Sequence, residues 1–387
     1  MLLIISTTLI SVVLILKKLI CIFMILIFTL SLCTVAFAYE GSCSAEAAIL
    51  FQPDTNTVLY EKNAYDDYLI ASTTKIMTAL VVLENVSTDE IVDILPEYTK
   101  IEGSSMYLKT GERFTVKELV YGLMLMSGND AAAALACHVS GSIEEFAALM
   151  NEKAYELGCL NTHFENPHGL DSDMHYSCAF DLALIMQAAM KIDAFAEINS
   201  TKEIEIAGRS MINHNKLLWE CEGCIGGKTG YTEKAGRTLV SVCERDGMEL
   251  ICVTISDRDD WSDHKSLFDW GYSEFALTDL SPIIAVPVIS GDKETVRAVC
   301  ERSDILTDKN CDISINLPQF VYAPVSIGEQ IGSVCINTED EACEYKIIAA
   351  ESVDVDEAVP LNFWEQLKWA WYYYNGHTGH IPFIPRY

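Results

Sequence analysis

The sequence predicts an α/β chain in two folded parts: a mixed α/β domain over residues 39–280, then a small all-β domain over 281–350. Three observations predict this. From about Ala45 to Phe275, helical and strand-like apolar patterns alternate with no low-complexity break. After about Leu280 the pattern changes to short strand-like runs separated by turn residues. The 387 residues are also enough to bury more than one core.

The chain opens with residues 1–38, which carry Lys17 and Lys18, no acidic residue and long apolar runs. A basic pair, the apolar stretch Leu19 to Leu32, then Ala36-Phe37-Ala38 form the pattern of a secretory signal peptide cleaved before Tyr39. An uncleaved membrane anchor is the competing reading. Losing this leader removes two lysines and no acid, which moves the net charge from −30 to −32. With 26 basic against 56 acidic residues, nucleic acid and anionic lipid are excluded as main partners. A charged fraction of 21% beside 50% hydrophobic residues excludes a disordered chain.

Within 39–280, Ser72 to Glu84 reads as a helix with Ile76, Met77, Leu80 and Val81 on one stripe. Thr115-Val116-Lys117-Glu118 is a capping box opening a helix through Met126. Ser142-Ile143-Glu144-Glu145 opens another, closed by Gly158 after Leu157. Arg237 to Glu244 and Met248 to Ser256 flank Asp246-Gly247, a two-residue hairpin signal. The β-rich part shows runs at Ile283 to Val288, Thr295 to Cys300, Ile313 to Leu317, Ile331 to Ile336 and Tyr345 to Ala349. Residues 351–387 form an acidic linker and an aromatic tail. In that tail Phe363, Trp364, Leu367, Trp371 and Tyr374 fall on one helical arc, an interfacial face suited to weak membrane-surface contact through 362–374.

Twelve of the 14 cysteines lie beyond Ala38, scattered mostly through apolar segments as buried small residues are. Cys221-Glu222-Gly223-Cys224 is the close pair, compatible with a loop disulfide or with free thiols.

Three motifs carry chemistry: Ser72-Thr73-Thr74-Lys75, Ser127-Gly128-Asn129 and Lys228-Thr229-Gly230. A serine hydroxyl needs a base to become a nucleophile. Residues three apart on a helix share a face, so Lys75 reaches Ser72 without a loop. A lysine acts as that base when burial and a neighbouring cation lower its pKa. Each motif alone is commonplace: a solvated helix lysine, a helix-to-helix turn, a strand end.

Together, and in this order, they resemble the serine β-lactamases and penicillin-binding proteins. The surrounding text is similar to one branch, the low-molecular-mass D-alanyl-D-alanine carboxypeptidases. The match includes Ala71-Ser72-Thr73-Thr74-Lys75-Ile76-Met77, Leu125-Met126-Ser127-Gly128-Asn129-Asp130-Ala131, Glu165-Asn166-Pro167-His168-Gly169-Leu170-Asp171, His175-Tyr176-Ser177 and Lys228-Thr229-Gly230-Tyr231-Thr232. The resemblance implies a transpeptidase/β-lactamase-like catalytic domain, an antiparallel sheet with helices on both sides, followed by a small all-β domain. It implies Ser72 as nucleophile, Lys75 as base and Ser127 as proton carrier to the leaving amine. Asn129 would bind the peptide amide, and Lys228 and Thr229 the terminal carboxylate. The N–H groups of Ser72 and Tyr231 would form the oxyanion hole. Stem peptides ending in D-Ala-D-Ala and β-lactam antibiotics are the implied ligands, with no cofactor and no metal, outside the cytoplasm. Cys178, where the family usually has Thr or Ser, reads as a packing change.

A serine β-lactamase is the nearest alternative, but the loop at Glu165-Asn166-Pro167 lacks its Glu-x-x-Leu-Asn pattern. A non-catalytic wall-binding module is disfavoured because all three motifs are intact. His163, His168, Asp171, Asp173 and His175 crowd one stretch, yet without helical ligand spacing they read as loop hydrogen-bonders rather than a metal site.

Overall fold

The computed structural model describes residues 39, 41–309, 311–337 and 342–356, with Trp364, Leu367, Lys368 and Trp371 of the tail. The leader 1–38, Phe363 and Tyr374 lie outside the described residues.

Strands β1 (Ala47–Gln52) and β2 (Thr57–Lys62) come first, then α1 (Lys75–Asn85) and a short pair β3 (Ile91–Asp93) and β4 (Arg113–Thr115). Helices α2 (Val116–Leu125), α3 (Asn129–Ser140), α4 (Ile143–Glu156), α5 (Ala179–Met190) and α6 (Asp193–Ser200) follow. A second pair, β5 (Glu203–Ile206) and β6 (Arg209–Ile212), and the single turn α7 (Leu217–Glu220) lead into β7 (Cys224–Thr232), β8 (Gly236–Arg245), β9 (Met248–Ile255) and α8 (Asp260–Glu274).

The central sheet has order β2-β1-β9-β8-β7, with every neighbouring pair antiparallel. Alternate residues of its strands serve opposite faces. Ile49, Phe51, Val240, Val242, Ile251 and Val253 pack with residues of α1 to α6. Leu50, Leu250 and Cys252 pack with Leu267, Phe268 and Tyr272 of α8. Both faces are covered, which explains why these strands read as continuous apolar runs rather than alternating ones. Truncating a side chain such as Phe268, which is fully buried, to alanine costs about 3–5 kcal/mol.

The local signals hold in detail. Thr115 Oγ1 accepts from Glu118 N at 3.2 Å while Glu118 Oε2 accepts from Thr115 N at 2.7 Å, closing the capping box of α2. Ser142 Oγ accepts from Glu145 N at 3.1 Å to start α4, and Gly158 follows its end with φ +79°. Asp246 and Gly247 both have positive φ, 51° and 80°, as a tight hairpin with right-handed strand twist requires.

Two expectations are corrected. The helix expected from Ser72 is divided: Ala71–Thr74 is a 3₁₀ turn and α1 begins at Lys75. Thr73 Oγ1 donates to Ile70 O at 2.6 Å and Thr74 Oγ1 to Ala71 O at 2.8 Å, side-chain bonds that hold the tighter turn. Cys178 does more than pack, since its Sγ accepts from Asp181 N at 3.4 Å and caps α5, as a Thr or Ser hydroxyl would.

Beyond α8, β10 (Phe275–Asp279) leads to β11 (Ile284–Ile289), β12 (Thr295–Cys300), β13 (Asp304–Asp308), β14 (Asp312–Asn316), β15 (Val321–Tyr322), β16 (Gln330–Asn337) and β17 (Ala342–Ala349). Six of these form a sheet of order β14-β16-β17-β12-β11-β15 over a second core that includes Val286, Val296, Val334 and Ile347. Strands β10 and β13 pair separately and join the two parts: Leu277 and Leu306 pack on the α8 cluster, while Ile305 belongs to the second core. All twelve described cysteines are free. No helix among the described residues is long and apolar enough to cross a membrane.

Candidate active site

Ser72 sits in the 3₁₀ turn ahead of α1, after Ala71, whose φ of +47° lies in the left-handed region. Lys75, the first residue of α1, is fully buried, and its Nζ lies 2.9 Å from Ser72 Oγ. The same Nζ donates to the carbonyl of His168 at 2.5 Å. The segment around His168 is bound to α1 at further points. Thr78 Oγ1 donates to Pro167 O at 2.6 Å, and Thr74 Oγ1 and His175 Nε2 are 2.8 Å apart. Gly169 has φ +85°, and a methyl group there would collide with the Ala71 carbonyl. The Pro167-His168-Gly169 segment is therefore a clamp on the turn that carries Ser72. The histidines act as loop hydrogen-bonders: His163 Nδ1 pairs with Met174 O at 2.6 Å and His175 Nδ1 accepts from Glu165 N at 3.1 Å.

Ser127, with φ +57°, lies between α2 and α3. Lys228 Nζ from β7 reaches across to Ser127 Oγ at 3.1 Å and donates to Thr229 O at 2.9 Å. Gly230 marks a close approach, because a Cβ there would stand 3.0 Å from both Ser72 N and Ile70 O, a tight contact. This glycine thus serves contact between β7 and the turn that carries Ser72.

A cleft of about 480 Å³ is lined by Ser72, Ser127, Thr229, Gly230 and Tyr231, with Ser104, His214, Arg237, Asp260 and Trp261. Lys75 and Lys228 stand behind this lining, at 0% and 1% exposure. Asn129 is also buried: its Nδ2 donates to Glu102 O at 2.5 Å and its Oδ1 has no hydrogen-bond partner among the described residues.

Burial, reinforced by the Lys228 ammonium and opposed by the Asp130 carboxylate, holds Lys75 well below the usual lysine range. Burial pushes Lys228 down to about 7. Burial first, then the charge of Lys75, takes His168 down to about 3, and burial takes His175 to about 4. The site is thus a serine beside a desolvated amine, with a second buried amine on a second serine. Such an arrangement suits acyl transfer through a serine ester.

Sequence reasoning missed Ser104, His214, Arg237, Asp260 and Trp261. Arg237 stands opposite Tyr231 in the β7–β8 register, a strand pairing that only the folded sheet decides. Its guanidinium makes a forked pair with buried Asp260 (Nη2 to Oδ1 2.5 Å, Nε to Oδ2 3.1 Å) and lies over the Trp261 ring. Asp130 was also missed. It accepts from Ser105 Oγ, Met106 N and Leu108 N, which fixes the loop that brings Ser104 to the cleft. For Ser104 and His214, no sequence signal pointed to the site.

The profile of the D-alanyl-D-alanine carboxypeptidase family, peptidase S11, matches residues 34–259. The D-alanyl-D-alanine carboxypeptidase DacF of Bacillus subtilis is 30% identical over 355 residues, 86% of this chain and 91% of that protein. DacC of Escherichia coli is 33% identical over 352 residues, covering 82% and 88%. The crystal structure of penicillin binding protein 5 from Haemophilus influenzae superposes with a TM-score of 0.68 at 27% identity, covering 82% of this chain and 99% of that one. With the three motifs gathered around one cleft and relatives matched over most of their length, the chain belongs to the D-alanyl-D-alanine carboxypeptidase family of serine peptidases.

Proposed function

We propose that this chain removes the terminal D-alanine from peptidoglycan stem peptides ending in D-Ala-D-Ala, through an ester on Ser72, and that β-lactams acylate the same oxygen. The observation that carries this reading is the fully buried Lys75 amine 2.9 Å from Ser72 Oγ. In its neutral form Lys75 takes the Ser72 proton as Oγ attacks the penultimate D-alanine carbonyl. The oxyanion forms beside the N–H groups of Ser72 and Tyr231, next to the close approach at Gly230. The C–N bond then breaks as Ser127, held by Lys228, gives its proton to the departing amine and takes up the proton that Lys75 had accepted, which returns Lys75 to its neutral form. Water hydrolyses the ester with Lys75 again as base. Lys228 and Thr229 hold the substrate's carboxylate, and Asn129 Oδ1, buried with no partner among the described residues, accepts from a substrate amide N–H.

Two finer statements belong to the same proposal. Residues 1–38 direct export, which places the enzyme outside the cytoplasm, and the tail rests weakly on the membrane surface. Trp364, Leu367 and Trp371 are helical, exposed at 76%, 51% and 62%, and spaced to share one helix face.

D-Alanine release from a peptide ending in a free carboxylate, compared with its amidated analogue, tests the substrate assignment. A charge-assisted bond contributes about 1.5–3 kcal/mol, so Lys228→Ala should lose at least tenfold more on the carboxylate than on the amide. Equal losses would remove Lys228 from carboxylate binding, and no release by the wild type from either peptide would refute the activity.

A further inference from the structure

Behind the wall formed by Arg237, Asp260 and Trp261 lies a second polar cluster that the reaction does not use. Cys43, ahead of β1, Asp257, just after β9, and Asp263, in the first turn of α8, offer one sulfur and two carboxylate oxygens, all within 4.8 Å of one another. Both carboxylates are buried, at 1% and 7% exposure, and neither has a salt bridge among the described residues. Asp257 Oδ1 accepts from Ser44 Oγ at 2.5 Å and Asp259 N at 3.0 Å, and Asp263 Oδ2 accepts from Ser44 N at 2.6 Å. Asp257 Oδ2 has no hydrogen-bond partner among the described residues. The nearby ammonium of Lys62 is spent on backbone, donating to Cys43 O at 3.0 Å and Ala45 O at 2.6 Å. Two desolvated carboxylates with an unpaired buried oxygen are costly unless a cation compensates them.

We propose that Cys43, Asp257 and Asp263 form a binding site for a divalent metal of zinc type. One thiolate with two carboxylates, leaving a fourth position to water, is a donor set that zinc accepts, whereas calcium and magnesium take oxygen ligands alone. A tetrahedral shell with bonds of about 2.0–2.3 Å has ligand–ligand edges of roughly 3.3–3.8 Å, so the three donors need close by only about 1 Å. The thiol proton leaves to solvent as the sulfur–metal bond forms. The ion would tie the segment ahead of β1 to the turn between β9 and α8. Asp260, which holds Arg237 at the cleft, lies between the two carboxylate ligands in that turn, so the site is a brace for one wall of the catalytic cleft.

Equilibrium dialysis of the metal-stripped full chain against zinc alone tests this. The expected result is one tight zinc per chain, with affinity falling at least tenfold in Cys43→Ser and in Asp257→Asn, while Cys221→Ser leaves it unchanged. The Cys221 control is needed because its Sγ lies 3.8 Å from Cys243 Sγ, a rival thiol pair. β-Lactam acylation of each variant reports that the fold is intact. Independently of any variant, zinc should slow alkylation of Cys43 in the wild type, read by peptide mass spectrometry. Absence of stoichiometric zinc, zinc lost only in Cys221→Ser, or Cys43 alkylation indifferent to zinc would overturn the proposal.

Discussion

At the scale of single residues, the proposed chemistry rests on keeping two lysines out of water. A buried ammonium is penalised, and a second one beside it adds repulsion, so the pair favours a state with one proton fewer. The neutral form of Lys75 is thereby favoured, as its proposed role as base requires. Lys75→Ala should lower the rate of β-lactam acylation by about 10²–10⁴, the usual worth of a general base, while thermal stability holds or rises. Stopped-flow acylation reads this directly, and an unchanged rate would take Lys75 out of that role. The wild-type rate should fall with acid only once Lys75, held well below the ordinary lysine range, takes up a proton, so acylation should persist at pH values where an exposed lysine is charged.

At the scale of elements, legibility followed the strength of local signals. The capping box at Thr115, the Ser142 cap, the Asp246-Gly247 hairpin and five of the β-rich strands could be read because side chains close in sequence decide them. Strands β3 to β6 escaped notice, because at three or four residues their pairing depends on tertiary neighbours. The same holds for β15, whose partner β11 is remote in sequence and parallel. Ser72, Lys75, Ser127 and Lys228 were legible through motif text, but the clamp by Pro167-His168-Gly169 and the Arg237–Asp260 wall were not. Those depend on which backbone carbonyl and which strand neighbour come to lie beside the cleft. The tail is the element whose role is tested most simply. Liposome flotation of the chain from Tyr39 onward should show weak, nearly salt-independent binding, given Lys368 as the sole basic residue between 362 and 374. A form ending at Pro360 should stay in the soluble fraction with unchanged melting temperature. A shortened form that instead melts earlier, with neither form floating, would make the tail a packing element.

At the scale of the whole molecule, stability against pH follows from histidines buried without charge. His168, His175 and His264 have pKa values of about 3, 4 and 3 in the folded chain, below the ordinary 6.5. Between about pH 6.5 and 3 the unfolded chain binds protons that the folded chain refuses, so stability falls as pH drops through that window. Glu249, raised by burial to about 7, acts in the opposite sense: its contribution to stability grows as pH falls from 7 toward the ordinary glutamate value. His214 is also held below its ordinary value by burial, and Asp181 and Asp260 are raised by burial like Glu249. With four histidines against three carboxyls, the melting temperature should decline from pH 6.5 to 4. Scanning calorimetry across that range checks this, and a flat or rising profile would show that the histidines are charged in the folded state. The assembled molecule makes one claim on which the rest depends, that Ser72 carries the acyl group. Intact-mass measurement after exposure to penicillin, followed by peptide mapping, is the most direct measurement. The prediction is a single added penicillin on the peptide containing Ser72, and none in Ser72→Ala. An adduct on another residue, or the same mass gain in Ser72→Ala, would contradict it.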